Sequence, residues 1–446
     1  MEKQPAKYPI GIQTFAKIRE DGYIYVDKTA LIYKLVEKGQ YYFLSRPRRF
    51  GKSLLLSTIK AYFEGHKELF KGLAIENMEK DWKAHPVLTL SLAAYNPSAG
   101  DIEELLDAAI SEFELKYGKR FETKLLSARF GNLIKSAYEQ TGNKVVILID
   151  EYDAPLVAHL DSAKHEAIRD LLKSVYSNLK DMDAYIRFAL ITGVSRFSSM
   201  TIFSGINNLK DISLLPEWSE ICGITETELR ENFRDGIDTL AEIQQTDREG
   251  ALALLKIRYD GYHFTAHSAD IYNPFSLLNA LNDSQLGAYW FRTGTPTFLV
   301  KQLSRLHEPL ADIFNKKVPE STLSDIEGYH MSPVGLLFQT GYLTIKEADP
   351  RRRSYRLGIP NQEVEEGLLT DLLSNILQIT KPQLDERLWI IREALENGDP
   401  EKALEAIRSF LSTIPGNVTA GKQELFFENN LFMLFRLIGI DTRAEW

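Results

Sequence analysis

One stretch, residues 41–56, constrains the fold of this 446-residue chain more than any other. Four apolar residues at 41–44 are followed at once by a turn rich in arginine, then by glycine, lysine and serine, and then by leucines, in the order RPRRFGKSLLL. A strand that leads through such a turn into a helix presents the unpaired N–H groups of the helix to an anion, with glycine where the backbone must approach it closely. The stretch therefore predicts a phosphate-binding loop between a buried strand and a helix.

This loop also predicts which residues hold a nucleotide. We expect Lys52 to contact the outer phosphates and the Ser53 hydroxyl to bind Mg²⁺. Of the pattern G-x-x-x-x-G-K-S/T only Gly51 and the two residues after it are present, because Arg46 occupies the position of the first glycine. The candidate nucleotide-binding residues are Arg46, Arg48, Arg49, Phe50, Gly51, Lys52, Ser53 and Leu54.

A second stretch, residues 144–151, has five aliphatic residues in a row and ends in Asp150 and Glu151. It predicts a buried parallel strand, and α/β sheets bind their ligands at the carboxyl ends of such strands. We expect Asp150 to hold the Mg²⁺ through water and Glu151 to polarise the attacking water. Together the two stretches have the form of Walker A and Walker B motifs. The alternative is an ordinary helix start and an ordinary strand end.

Residues 185–193 predict the next strand, which ends in a threonine and a glycine. In P-loop enzymes with an additional strand, a polar residue at this strand end positions the water near the γ-phosphate, and Thr192 occupies that place. Arg196 is predicted either to neutralise charge on the γ-phosphate, in this chain or in a neighbouring subunit, or to be a surface arginine on a loop. The candidate catalytic residues are thus Asp150, Glu151, Thr192 and Arg196, and the candidate metal ligands are Ser53 and Asp150.

Composition excludes several classes of protein. The net charge of −9 argues against a nucleic-acid-binding surface along the whole chain. The single cysteine, Cys222, excludes an intrachain disulfide and a thiolate metal cluster. The sequence has neither an apolar run as long as a membrane span nor a signal-peptide core at its start, which predicts a cytoplasmic protein without a membrane partner.

The rest of the chain predicts further layers and segments. Strands that alternate with helices predict a parallel sheet covered on both faces, and residues 23–26 have the composition of one more strand. Thr225 and Glu228 form a capping box that opens an α-rich segment suited to a lid. Residues 333–357 predict a helix followed by a hairpin, the outline of a winged helix. The hairpin tip carries three basic residues that either contact a DNA backbone or lie in solvent: Arg351, Arg352 and Arg353.

The chain closely resembles a bacterial family, the AAA-ATPase-like family, whose members are often joined to a C-terminal nuclease domain of the PD-(D/E)XK type. The motifs that carry the resemblance are YVDKT (25–29), RPRRFGKS (46–53), LIDEYDAP (148–155), TGVSRFS (192–198), DGYHF (260–264), YNPFSLLNAL (272–281), TGYLTI (340–345) and GIPNQEV (358–364). The resemblance implies that the nucleotide is ATP. It also implies that residues 425–446 begin the nuclease module and that the native polypeptide continues beyond Trp446.

The expected fold class is α/β. It comprises a P-loop NTPase domain with a parallel sheet of the additional-strand type (1–224), a helical lid (225–290), a winged-helix-like segment (291–365), a helical linker (366–424) and the truncated start of a nuclease-like domain (425–446). The expected function is that of a Mg²⁺-dependent ATP-binding protein, a slow ATPase that acts as a nucleotide switch for the nuclease and does not cut DNA itself. Two alternatives are a nucleic-acid-binding module with a vestigial nucleotide site and an oligomerising scaffold, a homo-oligomer in which Arg196 acts across a subunit boundary.

Overall fold

The computed structural model describes residues 6–160, 162–196, 202–203, 206, 208–265, 268–291, 309–324, 333–412 and 423–440. The strands are β1 (Tyr41–Ser45), β2 (Val87–Ser91), β3 (Val145–Asp150), β4 (Ile186–Gly193), β5 (Lys210–Asp211), β6 (Ile224–Thr225), β7 (Ile271–Tyr272), β8 (Lys317–Pro319), β9 (Thr344–Asp349) and β10 (Ser354–Gly358). The helices are α1 (Phe15–Glu20), α2 (Thr29–Lys38), α3 (Lys52–Phe63), α4 (Ile75–Met78), α5 (Ile102–Tyr117), α6 (Leu126–Thr141), α7 (Ala154–Ala158), α8 (Lys164–Tyr176), α9 (Asn178–Asp181), α10 (Glu226–Asn232), α11 (Arg234–Ile243), α12 (Arg248–Tyr259), α13 (Pro274–Asp283), α14 (Leu310–Ile313), α15 (Glu320–Ser324), α16 (Pro333–Thr340), α17 (Gln362–Leu377), α18 (Lys381–Glu396), α19 (Pro400–Ser412) and α20 (Gln423–Leu437).

The central sheet has five strands in the order β2-β3-β4-β1-β5, and every neighbouring pair is parallel. Strand β4 lies between β1, which leads into the loop, and β3, which ends in the acidic pair. The α/β class and the parallel sheet are thus confirmed. Register places Leu44 beside Thr192 and Ile149 beside Ile191, so the carboxyl ends of all three strands meet at one edge.

Both faces of this sheet are covered, as the continuous apolar runs in its strands predict. Successive residues of a strand point to opposite faces. Phe43, Ile147 and Ile191 therefore pack with helices α5, α6 and α8, whereas Leu44 and Leu148 pack with α2 and α3 on the other side. Burial on both faces fixes the strand ends, and hence the loop and the acidic pair, on a rigid base.

A separate helical core follows the sheet. Helices α10 to α13 and the antiparallel pair β6–β7 share one apolar cluster, and both hydrogen bonds of the predicted capping box at Thr225 are formed. The N-terminal segment packs on the same cluster through Ile24 and Val26, while Tyr25 between them packs on the sheet side. The strand predicted at residues 23–26 is therefore wrong: its alternating side chains are shared between two cores, and the segment forms no sheet.

The C-terminal part forms a further body around a three-stranded antiparallel sheet, β8-β10-β9. Helix α16, strand β9 and strand β10 reproduce the helix and hairpin predicted over 333–357. Helix α17 runs without a break across the expected boundary at 365/366, and α20 contributes Met433 and Leu434 to the same core as α16 and α17. Segments expected to be separate thus share one core. Residues 441–446, the end of the predicted start of the nuclease module, lie outside the described residues.

Within the described ranges, no helix combines the length with the apolar character that crossing a bilayer requires.

Candidate functional site

The loop between β1 and α3 turns sharply at its end. Gly51 has φ 88° and is the N-cap of α3, and Arg49 also has a positive φ of 68°. No heavy atom lies within 4 Å of the place where a Cβ at position 51 would stand, so the glycine borders open space. The first N–H groups of a helix have no partner within the helix. Here they belong to residues that line a cleft, in the arrangement that binds anions at helix N-termini.

Asp150 joins the loop to the sheet edge. The Ser53 hydroxyl donates to its Oδ2 atom at 2.5 Å, and the Thr192 hydroxyl is 2.7 Å from its Oδ1 atom. The structure thus brings together predicted residues from the first turn of α3 and from the ends of β3 and β4. Thr192 is fully buried and its hydroxyl is also 3.3 Å from the Ile149 carbonyl oxygen, so it orients Asp150. Its contact with an attacking water stays a prediction.

Lys52 lies under the loop, with only 5% of its surface exposed. Its ammonium group donates to the carbonyl oxygens of Arg46 at 3.0 Å and Pro47 at 3.1 Å. Burial lowers the pKa of this ammonium group, and the carboxylates of Asp150, Glu151 and Asp153 oppose that shift. Since an ammonium group has three N–H donors, one remains for a ligand in the cleft.

Glu151 lines the same cleft and has an uncommon backbone conformation. Its φ is 50°, in the left-handed region, which costs a non-glycine residue about 1–3 kcal/mol. Burial raises the pKa of its carboxyl group, whereas the positive charge of Lys52 lowers it. Strained backbone and a shifted pKa are both enriched at catalytic positions, where a glutamate with a raised pKa suits proton transfer.

Asp153 is a buried residue near the site that is not among the candidates predicted from the sequence. Its carboxylate accepts hydrogen bonds from the backbone N–H of Ser195 at 2.7 Å and of Val194 at 3.2 Å, and from the Ser195 hydroxyl. It therefore fixes the loop that follows β4 against the acidic strand. The position two residues after the acidic pair was the available signal, but its partners lie some forty residues further along the chain.

The cleft itself has a volume of about 630 Å³, which is within the range of small-molecule sites. The polar residues of its lining include Lys52 and Ser53 of the loop region and the acidic residues Glu151 and Asp153. Apolar lining residues come from three other parts of the chain. These are the N-terminal residues 9–13, Phe275 and Leu278 of α13, and Trp290, Phe291 and Tyr342 of the C-terminal body.

Two of the predicted nucleotide-binding side chains face away from this cleft. The Arg46 guanidinium is buried and donates to the carbonyl oxygens of Ser45, Ser213 and Trp218, while its carbon lies 4.0 Å from the centre of the Phe264 ring. Burial lowers the pKa of Arg46 to about 10. Phe50 is fully buried against the same ring. The geometry gives both side chains a role in packing, because the loop turns them toward the core.

The other predicted residues divide between the two sides of the loop. Arg48, Arg49 and Leu54 line the cleft together with the lysine and serine. Arg196 instead lines a second cavity on the side of Arg46, where its guanidinium pairs with Asp211 at 2.5 Å. Residues 197 and 198 of its motif lie outside the described part of the chain.

Comparison with known proteins gives two matches. Residues 9–203, which hold the loop, the acidic pair and β4, match the sequence model of a family described as "Predicted AAA-ATPase". A protein of Azotobacter chroococcum mcd 1, described as an uncharacterized protein in vnfD 5'region, is 38% identical over 453 residues, which cover 98% of this chain and 84% of that protein. This likeness extends over nearly the whole chain, well beyond the loop and the acidic strand. The chain belongs to the AAA-ATPase-like family of predicted ATPases.

Proposed function

We propose that this protein binds ATP together with Mg²⁺ in the cleft, hydrolyses it slowly and acts as a nucleotide switch. One observation carries the proposal: the Ser53 hydroxyl is hydrogen-bonded to Asp150 at 2.5 Å, and Lys52 and Glu151 line the same cleft. A serine hydroxyl and a carboxylate supply the oxygen ligands that Mg²⁺ prefers. The open space beside Gly51 accommodates phosphate oxygens. The residues present therefore fit both groups.

Each side chain has a chemical task in this proposal. Lys52 and the N–H groups of the first turn of α3 bind the phosphates. Ser53 and Asp150 would hold the metal, Asp150 through water, and Mg²⁺ would supply positive charge that screens the phosphates. Glu151 orients the attacking water and accepts its proton, which its raised pKa favours. Thr192 keeps Asp150 in place.

The switch is supported by contacts between the loop and the C-terminal body. The indole Nε1 of Trp290 donates to the carbonyl oxygen of Arg48 at 3.1 Å. A Cβ at Gly341 would lie 2.7 Å from the Cβ of Pro47, which shows how closely the proline ring approaches the backbone of Gly341. Phosphates that reshape the loop would therefore press directly on the C-terminal body. Coupling to a nuclease rests on the family resemblance alone and stays a prediction.

Titration calorimetry with ATP and excess Mg²⁺ tests the proposal. Wild type is expected to bind, and Lys52→Ala to bind about 10–100-fold more weakly, because it loses a charged hydrogen bond to the phosphates. Lys60→Ala is the matched control: it removes a lysine from the same helix, but one whose side chain is 43% exposed and pairs with Glu64. Absence of wild-type binding at millimolar ATP would contradict the proposal.

The nucleic-acid alternative depends on the hairpin tip. The side chains of Arg352 and Arg353 are 83% and 79% exposed, which suits contact with a phosphate backbone. Arg353 is nevertheless paired with Glu320 at 2.9 Å, and Arg352 is 3.8 Å from Asp349, so acidic neighbours reduce the free charge. This alternative predicts salt-dependent DNA binding that triple alanine substitution of residues 351–353 weakens. No binding at low salt would exclude it.

The oligomer alternative requires Arg196 to act across a subunit boundary. In the chain as described, this arginine is paired with Asp211, and its backbone N–H donates to the Gln339 side chain at 2.6 Å. A role in a neighbouring site would require that ion pair to break. Sedimentation with and without ATP distinguishes the cases, because a monomer in both states is incompatible with this alternative.

A further inference from the structure

We infer that Arg48 is the residue that neutralises the negative charge on the γ-oxygens and the bridging oxygen in the transition state, and that it acts in the same chain that binds the nucleotide. The inference rests on the proposed ATPase function and names the arginine that completes its site. It also makes a single polypeptide sufficient for hydrolysis.

The position of Arg48 supports this role. It lies inside the loop, four residues before Lys52, and its side chain lines the cleft together with Lys52 and Glu151. Its backbone is held from the opposite wall, where Trp290 donates to its carbonyl oxygen. The Arg48 side chain therefore lies in the same cleft as Glu151, the residue that is proposed to hold the water.

The other arginines near the loop have contacts of their own. Arg46 donates to three carbonyl oxygens on the far side of the loop, and Arg196 pairs there with Asp211. The Arg49 guanidinium carbon lies 4.8 Å from the centre of the Phe275 ring on α13. Arg48 is exposed in the cleft and forms no ion pair with a carboxylate of the described ranges. Of the two arginines that line the cleft, Arg48 is therefore the one whose guanidinium has neither an ion pair nor a ring contact within the described ranges.

The chemistry calls for such a cation. In hydrolysis a water oxygen bonds to the γ-phosphorus, and the bond from that phosphorus to the bridging oxygen of the β-phosphate breaks. ADP and inorganic phosphate are released, and the proton of the water passes to Glu151 and then to solvent. Negative charge shifts toward the bridging oxygen while the γ-oxygens keep theirs. A planar guanidinium donates two parallel hydrogen bonds to such oxygens, which a point charge does not.

Three variants test the assignment: Arg48→Ala, Arg48→Lys and, as control, Arg169→Ala. Arg169 lies on α8 and contacts only its neighbour Asp170 in the ion pairs of the described residues. Calorimetry measures binding of ATP with Mg²⁺ and of ADP with aluminium fluoride, a mimic of the transition state. Single-turnover hydrolysis is measured over a range of protein concentrations.

For Arg48→Ala we expect a loss of about 10³-fold or more in hydrolysis and a comparable loss in binding of the mimic, the scale on which an arginine finger acts. Affinity for ATP is expected to fall by less than about 10-fold, because the contact strengthens only in the transition state. Arg48→Lys is expected to recover little of the lost hydrolysis and mimic binding, since lysine supplies the charge without the planar guanidinium. The specific rate of wild type is expected not to change with protein concentration.

Two results would overturn the inference. One is Arg48→Ala binding the mimic as tightly as wild type does. The other is a specific rate that rises with protein concentration, which points to an arginine from a second chain. Binding of ATP by wild type is measured in the same series, and it distinguishes failure of this inference from failure of the proposed function. If wild type binds ATP and Arg48→Ala behaves like it, only this inference fails; if wild type does not bind, the proposed function fails and the inference with it.

Discussion

Arginine side chains on the two sides of the phosphate-binding loop lie in opposite environments, one buried and one exposed. Arg46 and Arg48 are two positions apart. On one side Arg46 is 1% exposed, and its guanidinium is bonded to carbonyl oxygens of the sheet domain and covered by Phe264. On the other side Arg48 is exposed and lines an open cleft. The difference shows that an arginine-rich loop motif is not one binding surface: part of it builds the loop and part of it faces a ligand.

The cavities on the two sides agree with this division. The cleft on the Arg48 side has a volume of about 630 Å³, whereas the cavity beside Arg46 and Arg196 has about 20 Å³, roughly the space for one water. A nucleotide therefore fits on one side alone. The following predictions test this difference, beginning with the largest expected effect.

Glu151→Gln tests whether the cleft side carries chemistry. The amide keeps the size of the side chain but cannot accept a proton, so hydrolysis is expected to fall by about 10²–10⁴-fold, the usual contribution of a general base. Affinity for ATP with Mg²⁺ is expected to stay close to that of wild type. Phosphate release and calorimetry measure the two quantities. An unchanged rate would remove Glu151 from the mechanism.

Arg46→Ala tests whether the other side carries stability. The substitution leaves three buried carbonyl oxygens without their donor and opens a cavity beside Phe264, so the free energy of unfolding is expected to fall by about 3 kcal/mol or more. Arg48→Ala changes an exposed side chain and is expected to alter it by less than about 0.5 kcal/mol. Urea denaturation measures both. Equal losses in the two variants would break the comparison.

Gly341→Ala tests the close approach between the loop and the C-terminal body. Gly341 has φ 90°, and an added Cβ would lie 2.7 Å from Pro47. Gly439→Ala is the matched control, because Gly439 has the same φ of 90° but no atom within 4 Å of the added carbon. Gly341→Ala is expected to be about 1–3 kcal/mol less stable than the control and to bind ATP more weakly. Identical behaviour would show that the contact with Pro47 is not restrictive.

The smallest effect concerns pH. Glu151 must be ionised to accept a proton, so hydrolysis is present above its pKa and is lost as the pH falls through it. Burial raises this pKa, so the fall of the hydrolysis rate on the acid side of the pH profile, its acid limb, is expected above the ordinary glutamate pKa of 4.5. Because the charge of Arg48 lowers the same pKa, Arg48→Ala is expected to shift the limb further upward. A pH profile of single-turnover rates measures the shift, and a downward shift would contradict the arrangement.

Several of these features were predictable from the sequence, because their signals are local. The apolar runs in β1, β3 and β4 marked buried parallel strands. The GKS motif that follows β1 and the acidic pair at the end of β3 then predicted that Ser53 and Asp150 lie near each other, since parallel strands end at one edge of a sheet. The helix and hairpin over 333–357 followed in the same way from an apolar run, a glycine and a turn.

The remaining features depend on residues far apart in the chain. The burial of Arg46 requires Ser213 and Trp218, which accept its hydrogen bonds. The apolar lining of the cleft requires Trp290 and Tyr342. The loop sequence indicates none of these four residues. Local patterns of apolar residues also cannot show which core will receive them, and the strand wrongly predicted at residues 23–26 is an example. Propensity was overridden there by tertiary packing.

The structure of the chain crystallised with Mg²⁺ and a non-hydrolysable ATP analogue tests the central claim most directly. The account predicts that the phosphates lie against the first turn of α3, with the metal on Ser53 and Lys52 released from the carbonyl oxygens of Arg46 and Pro47 to contact the outer phosphates. A nucleotide bound elsewhere, or Lys52 and Asp150 unchanged while a nucleotide occupies the cleft without touching them, would contradict it.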